Sequence, residues 1–483
     1  MPMRICFVSS EIAPLAKTGG LADVASALPQ YLHAQGHDLR LFMPLYSSIG
    51  MAAVHAVAVD TVQNVELRLG PHTYWFSLLQ GTLPNTKVPV YLVHCPAVFD
   101  RASFYTQGPD EHLRFLVLQR AVLESCQRMA FAPQIVHCND WHTALLPALL
   151  KSLYAWDRLF EHSRTVMSIH NIGYQGDFAA STTYDVGGNM YSLLSPEVST
   201  SGHFNWLREG IRLADRVTTV SPTYAQEIRT PEGAHGLVDV LRARTDGIVG
   251  ILNGVDYNEW NPATDRYLKH RFSPTDLSGK AATKHALLDW FNLQRQDDRA
   301  LVGIVSRMTS QKGFDLLFDV LPEFLITRNL SLAVLGSGDA RYEDFFRLLQ
   351  QRFPDRVSFT RGYSDEIAHL IEAASDIFLM PSMYEPCGLN QMYSLKYGTV
   401  PVVRRTGGLA DSVQMWDGQA RTGTGIVFNN FDVQGIRWAL QTALDLYKDR
   451  DTWHQMMMNG MAQDFSWEAQ GREYEKLYEQ LIG

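Results

Sequence analysis

Cysteine is scarce in this chain, with five in 483 residues, at positions 6, 95, 126, 138 and 387. None pairs with another as Cys-x-x-Cys, which argues against a disulfide framework and fits a reducing cytoplasm. Long apolar runs are missing as well: nothing approaches the roughly 20 residues that span a bilayer. The N-terminal Ile5-Cys6-Phe7-Val8 is too short for a signal-peptide core and reads as a first strand. No long basic run exists, net charge is −9 and the isoelectric point is about 6.0, so nucleic acid and anionic membranes are excluded as general partners. Any anionic ligand must then be met by local cations.

What is present is an ordinary globular composition, 46% hydrophobic and 19% charged, in a chain too long for one core. Short apolar runs alternate with helical patterns: Ile5–Val8, Leu39–Met43, Val88–His94, Ile135–Cys138, Thr165–Ile169 and Val217–Val220 read as strands. Such alternation predicts a parallel sheet covered by helices on both faces, with ligands at the carboxyl ends of the strands. The Asn-, Gly- and Pro-rich stretch Asn253–Pro262 closes this first series. Alternation resumes at Leu301–Val305 and continues through Val400–Val403, predicting a second doubly wound domain. The expected boundaries are 1–252, 263–461, and a C-terminal helix within 462–483 that docks back on the first domain through Trp467, Tyr474, Leu477, Tyr478 and Leu481.

The chemistry-bearing residues cluster at strand ends. Lys17 precedes Thr18-Gly19-Gly20-Leu21-Ala22-Asp23, and this string recurs almost letter for letter as Thr406-Gly407-Gly408-Leu409-Ala410-Asp411, so each lobe is expected to present the same kind of anion-favouring loop. Arg307 and Lys312 follow the strand Leu301–Val305, where two cations can hold a diphosphate or, on the plain alternative, lie in a solvated loop. Glu385 follows Ile377–Met380; a carboxylate there can meet sugar hydroxyls or an oxocarbenium-like charge, or be only a first-turn acid of a helix. His137-Cys138-Asn139-Asp140-Trp141-His142 matches no zinc spacing and reads as a strand end with an Asn/Asp helix cap. His170-Asn171 also ends a strand. Asp449-Arg450-Asp451 imitates a metal-binding DxD but lies between helical segments, away from any strand end. The segment Gly173–Trp206, with Tyr174, Tyr184, Tyr191 and Phe204, is either a mobile acceptor loop or an ordinary surface loop.

These motifs, running in order from Ile5 to about Tyr478, resemble the bacterial glycogen synthases and plant starch synthases, retaining GT-B glucan synthases. The resemblance rests on Lys17–Val24, the block from His137 to His142, His170-Asn171-Ile172, Ser221–Tyr224, Asn253–Asp256, Ser306–Gly313, Glu385–Leu389 and Arg404–Asp411. It implies an α/β GT-B fold, two Rossmann-like doubly wound domains facing a deep interdomain cleft, with hinges near Asn253–Pro262 and Ala462–Trp467. It implies transfer of glucose from ADP-glucose to the non-reducing 4-OH of an α-1,4-glucan, with retention and with neither metal nor other cofactor. Carried over residue by residue, Arg307 and Lys312 hold the diphosphate and Glu385 the glucosyl hydroxyls. Lys17, with Gly19 and Gly20, contacts the donor. Asp23, Asn253 and Tyr363 surround the nucleotide, and Cys387, Gly388 and Leu389 present backbone N–H groups. The His170 backbone and Asp140 lie near the anomeric carbon, and Tyr105 and Tyr174 are acceptor-side candidates. Two departures stand out: Tyr393 occupies the place of a second glutamate found in many retaining GT-B enzymes, and Arg208 stands where relatives often carry Lys. The alternatives are a retaining GT-B transferase using UDP-glucose or a smaller acceptor, and a catalytically silent glucan-binding scaffold.

Overall fold

A computed structural model describes residues 2–50, 54–187 and 193–483. The chain folds as two units, Met1–Gly254 with Trp467–Gly483, and Val255–Ser466.

The first unit is built on a ten-stranded sheet. Its strands are β1 (Arg4–Val8), β2 (Asp38–Pro44), β3 (Val57–Ala58), β4 (Val65–Leu69), β5 (His72–Thr82), β6 (Pro89–His94), β7 (Ile135–Asn139) and β8 (Arg164–Ile169), joined later by β11 (Arg216–Thr219) and β12 (Val249–Gly250). The order is β12-β11-β8-β7-β1-β2-β6-β5-β3, with β4 paired to β5. From β12 to β6 every pairing is parallel, and β3, β4 and β5 extend the sheet antiparallel. The parallel strands are apolar almost throughout because helices cover both faces, so no solvent side exists for an alternating pattern to serve. Successive parallel strands step outward from β1 through β2 to β6, then restart on its other side with β7. The loops after β1 and β7 therefore flank a topological switch point, where the backbone splays and leaves a ligand-sized crevice at the carboxyl ends.

Between β8 and β11 the chain makes a two-stranded ribbon, β9 (Asp177–Ala179) with β10 (His203–Asn205). The segment expected as an acceptor loop thus carries a β-ribbon. Phe204 is buried against Trp206, whose ring also meets Phe178 and Trp141, and so belongs to the core; Tyr174 and Tyr184 are exposed. Tyr191 lies outside the described residues.

The helix Trp467–Ile482 closes the first unit. Its Glu475 accepts from the Tyr31 hydroxyl at 2.5 Å and lies 3.0 Å from His37 Nε2, while the Tyr478 hydroxyl meets His137 Nδ1 at 2.5 Å. Gly471 is needed at this seam: a Cβ there would stand 2.3 Å from the Tyr31 ring.

The second unit holds a six-stranded, wholly parallel sheet: β13 (Ala300–Val305), β14 (Leu330–Gly336), β15 (Val357–Arg361), β16 (Ile377–Met380), β17 (Val400–Arg404) and β18 (Ile426–Phe428). The order β15-β14-β13-β16-β17-β18 places its switch point between β13 and β16, with Val302 paired to both Leu332 and Ile377. Its core packs Val302, Ile304, Phe314, Phe346, Leu440 and Trp453 from strands and flanking helices. Asp449 accepts from the Thr452 N–H at 3.2 Å as a helix cap, which accounts for the DxD look-alike. Among the described residues no helix is long and apolar enough to cross a membrane, and no group of three His, Cys, Asp or Glu is arranged to hold a metal ion.

Candidate functional site

In the first unit, the loop after β1 folds around a residue the motifs did not single out. Glu11 is buried, and its carboxyl group accepts from the Thr18 backbone N–H, from Thr18 Oγ1 at 2.6 Å and from the Tyr105 hydroxyl. Ser10 Oγ lies 2.9 Å from the same phenol. One acidic side chain thus pins the Lys17–Gly20 turn to the segment carrying Tyr105, whose ring stacks on His142 at 4.8 Å. Lys17 Nζ donates to Asp23 Oδ1 at 2.7 Å, so two donor-side candidates pair with each other. At Gly19 and Gly20 an added Cβ would meet nothing within 4 Å, leaving the backbone of this helix start open to a ligand.

The neighbouring loop, after β7, carries Asp140 at φ +55°, a sparsely populated conformation for a residue with a side chain. Its carboxylate does not cap the following turn, as the Asn/Asp pattern suggests; Oδ1 instead accepts the His170 N–H at 2.7 Å, tying the ends of β7 and β8 together. Burial pushes the Asp140 carboxyl up to about 7, against backbone hydrogen bonds from His170 and Asn171 that pull it down. Asn139 Nδ2 donates to the Val8 carbonyl at 2.9 Å, which turns its Oδ1 towards His170 Nε2, also at 2.9 Å. A carbonyl only accepts, so His170 must carry its proton on Nε2. Its Nδ1 is left buried without a hydrogen-bond partner, and burial holds the imidazole down at about 3. The ring is neutral at physiological pH, and any role for His170 near a reacting carbon falls to its backbone. Asn253, near the end of this unit's first segment, is also buried with an unpartnered oxygen, Oδ1. Tyr174 lies four residues beyond His170 and is 57% exposed.

In the second unit, three loops meet at the carboxyl edge of the sheet. Lys312 Nζ, after β13, donates to Glu385 Oε2, after β16, at 2.6 Å. Ser382 Oγ donates to the same oxygen at 3.0 Å, which fixes the carboxylate from a second side. Met383 N–H donates to the Gln311 carbonyl at 2.8 Å, and Asn390 Nδ2 to the Val305 carbonyl at 3.1 Å, so the two switch-point loops are stitched together. Arg307 is exposed and makes no ion pair among the described residues. Cys387 is buried; Gly388 takes φ +72°, and with Leu389 it leads into the helix Asn390–Lys396. Gln391 Nε2 ties this turn down by donating to the Cys387 carbonyl at 3.0 Å and the Gly388 carbonyl at 3.1 Å. Tyr363, just past β15, is 65% exposed and donates to Asp365 Oδ1 at 2.7 Å.

The repeated Thr-Gly-Gly string turns out to be a repeat of sequence and not of place. In the first unit it follows β1 at the switch point; in the second it follows β17, one strand beyond it. Its glycines also serve a different need. Gly407 sits at φ +41°, and a Cβ there would stand 1.9 Å from the Glu385 carbonyl; at Gly408 one would stand 2.1 Å from that of Cys387. The second copy is packed against the Glu385 turn, whereas the first is open.

Both departures have structural partners. Tyr393 stacks face to face on Trp260, ring centroids 3.8 Å apart and 3° from parallel. Arg208 makes a two-pronged pair with Asp239 at 2.6 and 3.0 Å, which a lysine ammonium has no geometry to reproduce. Of the site residues, Glu11 and Ser382 lie outside the motifs, and Asn139 lies inside the His137 to His142 block without being singled out by it. The signal for Glu11 and Ser382 was position alone, since each lies just beyond a strand on one side of a switch point.

Comparison with known proteins agrees with this architecture. The family described as starch synthase catalytic domain matches residues 4–243, and that described as glycosyl transferases group 1 matches residues 289–457. A glycogen synthase of Koribacter versatilis is 43% identical over 99% of this chain and 98% of its own length, and one of Thioalkalivibrio sulfidiphilus is 44% identical over 99% and 100%. The solved catalytic domain of starch synthase IV from Arabidopsis thaliana, bound to ADP and acarbose, superposes with a TM-score of 0.92 at 36% identity over the whole of both chains. A sucrose-phosphate synthase from Thermosynechococcus elongatus, at 17% identity and a TM-score of 0.61 over 99% of this chain and 98% of its own, shares the fold alone. With two Rossmann-like units, a paired lysine and glutamate at the second switch point, and relatives matched from end to end, the chain belongs to the glycogen and starch synthase family of GT-B glycosyltransferases.

Proposed function

We propose that this glycogen synthase relative transfers glucose from ADP-glucose to the non-reducing 4-OH of an α-1,4-glucan, retaining configuration and using neither metal nor other cofactor. The observation that carries the reading is the Lys312–Glu385–Ser382 arrangement, with exposed Arg307 in the same loop as Lys312. As the C1–O bond to the diphosphate breaks, negative charge builds on the leaving oxygen and positive charge on C1. Fixed cations meet the first, an effect of about 10²–10³ in rate per donor at comparable sites. Lys312 and Arg307 take that role, and Glu385, already oriented by Lys312 and Ser382, holds the glucosyl hydroxyls. The new bond forms from C1 to the acceptor O4, and the 4-OH proton leaves with the ADP.

Lys17, Asp23, Asn253 and Tyr363 are assigned to the donor, with the open backbone at Gly19 and Gly20 and the N–H groups of Cys387, Gly388 and Leu389. Asp140 and the His170 backbone are assigned to the neighbourhood of C1, where an oxocarbenium-like charge favours an ionised Asp140. Tyr105 and Tyr174 are assigned to the acceptor side, Tyr105 as a fixed wall because its hydroxyl is held by Glu11. The starch synthase IV bound to ADP and acarbose supports both a nucleotide and a saccharide ligand for this chain. Residence in a reducing cytoplasm belongs to the same reading and is supported by five free, buried cysteines.

The test is incorporation of labelled glucose into glycogen from ADP-glucose and, separately, from UDP-glucose, each with EDTA present. Incorporation from ADP-glucose that withstands EDTA is expected. Incorporation from UDP-glucose alone would move the donor to the alternative, loss in EDTA restored by Mg²⁺ would contradict the metal-free step, and glycogen binding with no transfer from either donor would leave a scaffold.

A further inference from the structure

The N–H groups assigned to the donor, those of Cys387, Gly388 and Leu389, can meet it only if the peptide planes that carry them are turned towards it. In a trans peptide the carbonyl of one residue and the N–H of the next point in opposite directions, so whatever holds the carbonyl also aims the N–H. One side chain holds two of these carbonyls. Gln391 is fully buried on the first turn of the helix Asn390–Lys396, and its Nε2 donates to the carbonyls of Cys387 at 3.0 Å and Gly388 at 3.1 Å. Carbonyls only accept, so this end of the amide must be the NH2. The two planes it grips carry the N–H groups of Gly388 and Leu389. Among the described residues, neither of those N–H groups has a hydrogen-bond partner.

The same amide reaches the structure behind the turn. Nε2 donates to Ser412 Oγ at 3.1 Å, and Ser412 Oγ donates to the Gly408 carbonyl at 2.5 Å. The Gly408 N–H in turn donates to the carbonyls of Glu385 at 3.1 Å and Pro386 at 3.2 Å, and the Pro386 carbonyl shares its plane with the Cys387 N–H. The packed Thr-Gly-Gly turn and Gln391 therefore brace all three planes from one side. Gly388 sits at φ +72°, and a Cβ there would stand 2.5 Å from Gln391 Oε1, so backbone and amide both require glycine. Gln391 Oε1 itself is buried without a partner, a cost that an apolar side chain of similar length would avoid. The amide is kept for its donors.

We propose that Gln391 is a positioning residue for the donor, aiming the N–H groups of Gly388 and Leu389 at its diphosphate. The inference rests on the donor assignment above. Gln391 touches no ligand atom; it fixes two dipoles in advance, so that they meet an anion without reorganising. Adenosine has no phosphate and gains nothing from them.

Calorimetric titration of the full chain with ADP and, separately, with adenosine tests the assignment. Gln391→Met fills the space without a donor. It is expected to weaken ADP binding about tenfold or more, the loss of one hydrogen bond to a charged group, with adenosine affinity within about twofold of wild type. Gln391→Glu is close to isosteric, and its carboxyl donates only while protonated. Its ADP affinity relative to wild type should therefore be lower at about pH 8.5 than at about pH 6. Unchanged ADP affinity in both variants, beside a wild type that binds ADP more tightly than adenosine, would overturn the proposal and leave the donor assignment standing. An equal loss of ADP and adenosine would also overturn it, because Gln391 would then act only through packing. A wild type that binds ADP no more tightly than adenosine would defeat the donor assignment and the proposal with it.

Discussion

Asp140 shows how far a single side chain departs from its ordinary behaviour here. Burial raises its folded-state pKa to about 7, above the roughly 3.9 of an unfolded aspartate, so the folded protein binds the extra proton between those values. Its contribution to stability is therefore fully present below about pH 4 and is lost as pH rises through 7. Asp140→Asn cannot titrate, tolerates positive φ and keeps an oxygen for the His170 N–H. In denaturant unfolding, the variant should gain on wild type by a few kcal/mol between pH 4 and 7.5; a constant difference across that range would show that the carboxyl is ionised throughout. Glu11 makes the complementary point about what residues reveal in advance. Its partner Tyr105 lies 94 positions away, and no local pattern links them. Lys312 and Glu385 were legible because each follows an apolar strand within a recognisable motif, yet their direct pairing, 73 positions apart, was not. Phe204 misled for the opposite reason: an aromatic in a glycine- and serine-rich stretch looks available, and only the packing of Phe178 and Trp206 withdraws it.

At the level of elements, strand-helix alternation made both sheets legible, because buried parallel strands must be short, apolar and separated by helices. Strand order was not legible, and with it the places of the two Thr-Gly-Gly turns. Identical letters serve an open helix start after β1 and a packed one after β17. The difference is testable by substitution. Gly407→Ala forces a Cβ into the Glu385 carbonyl at a positive φ and should cost about 2–4 kcal/mol. It should also lower kcat at least about tenfold, because the Glu385 turn must shift. Gly20→Ala meets open space, and its melting temperature should match wild type within about 1 °C. Equal effects of the two substitutions on melting temperature would show that both turns are packed alike. The helix Trp467–Ile482 was legible from its apolar face, and its polar anchors, Glu475 to Tyr31 and Tyr478 to His137, needed coordinates.

For the molecule as a whole, two sheets built by the same rule carry different chemical equipment at their switch points. The first presents buried carboxyls, Glu11 and Asp140, with a neutral histidine; the second presents Lys312 paired with a carboxylate and an exposed Arg307 in the same loop as Lys312. In the proposed reaction, fixed cations of the second unit take up the charge of the departing ADP. The most direct test is kcat for glucose transfer from ADP-glucose to glycogen, measured for Lys312→Ala beside wild type in EDTA. The account predicts a fall of about 10²-fold or more with glycogen binding unchanged. Turnover within about threefold of wild type would remove Lys312 from the step and contradict the claim.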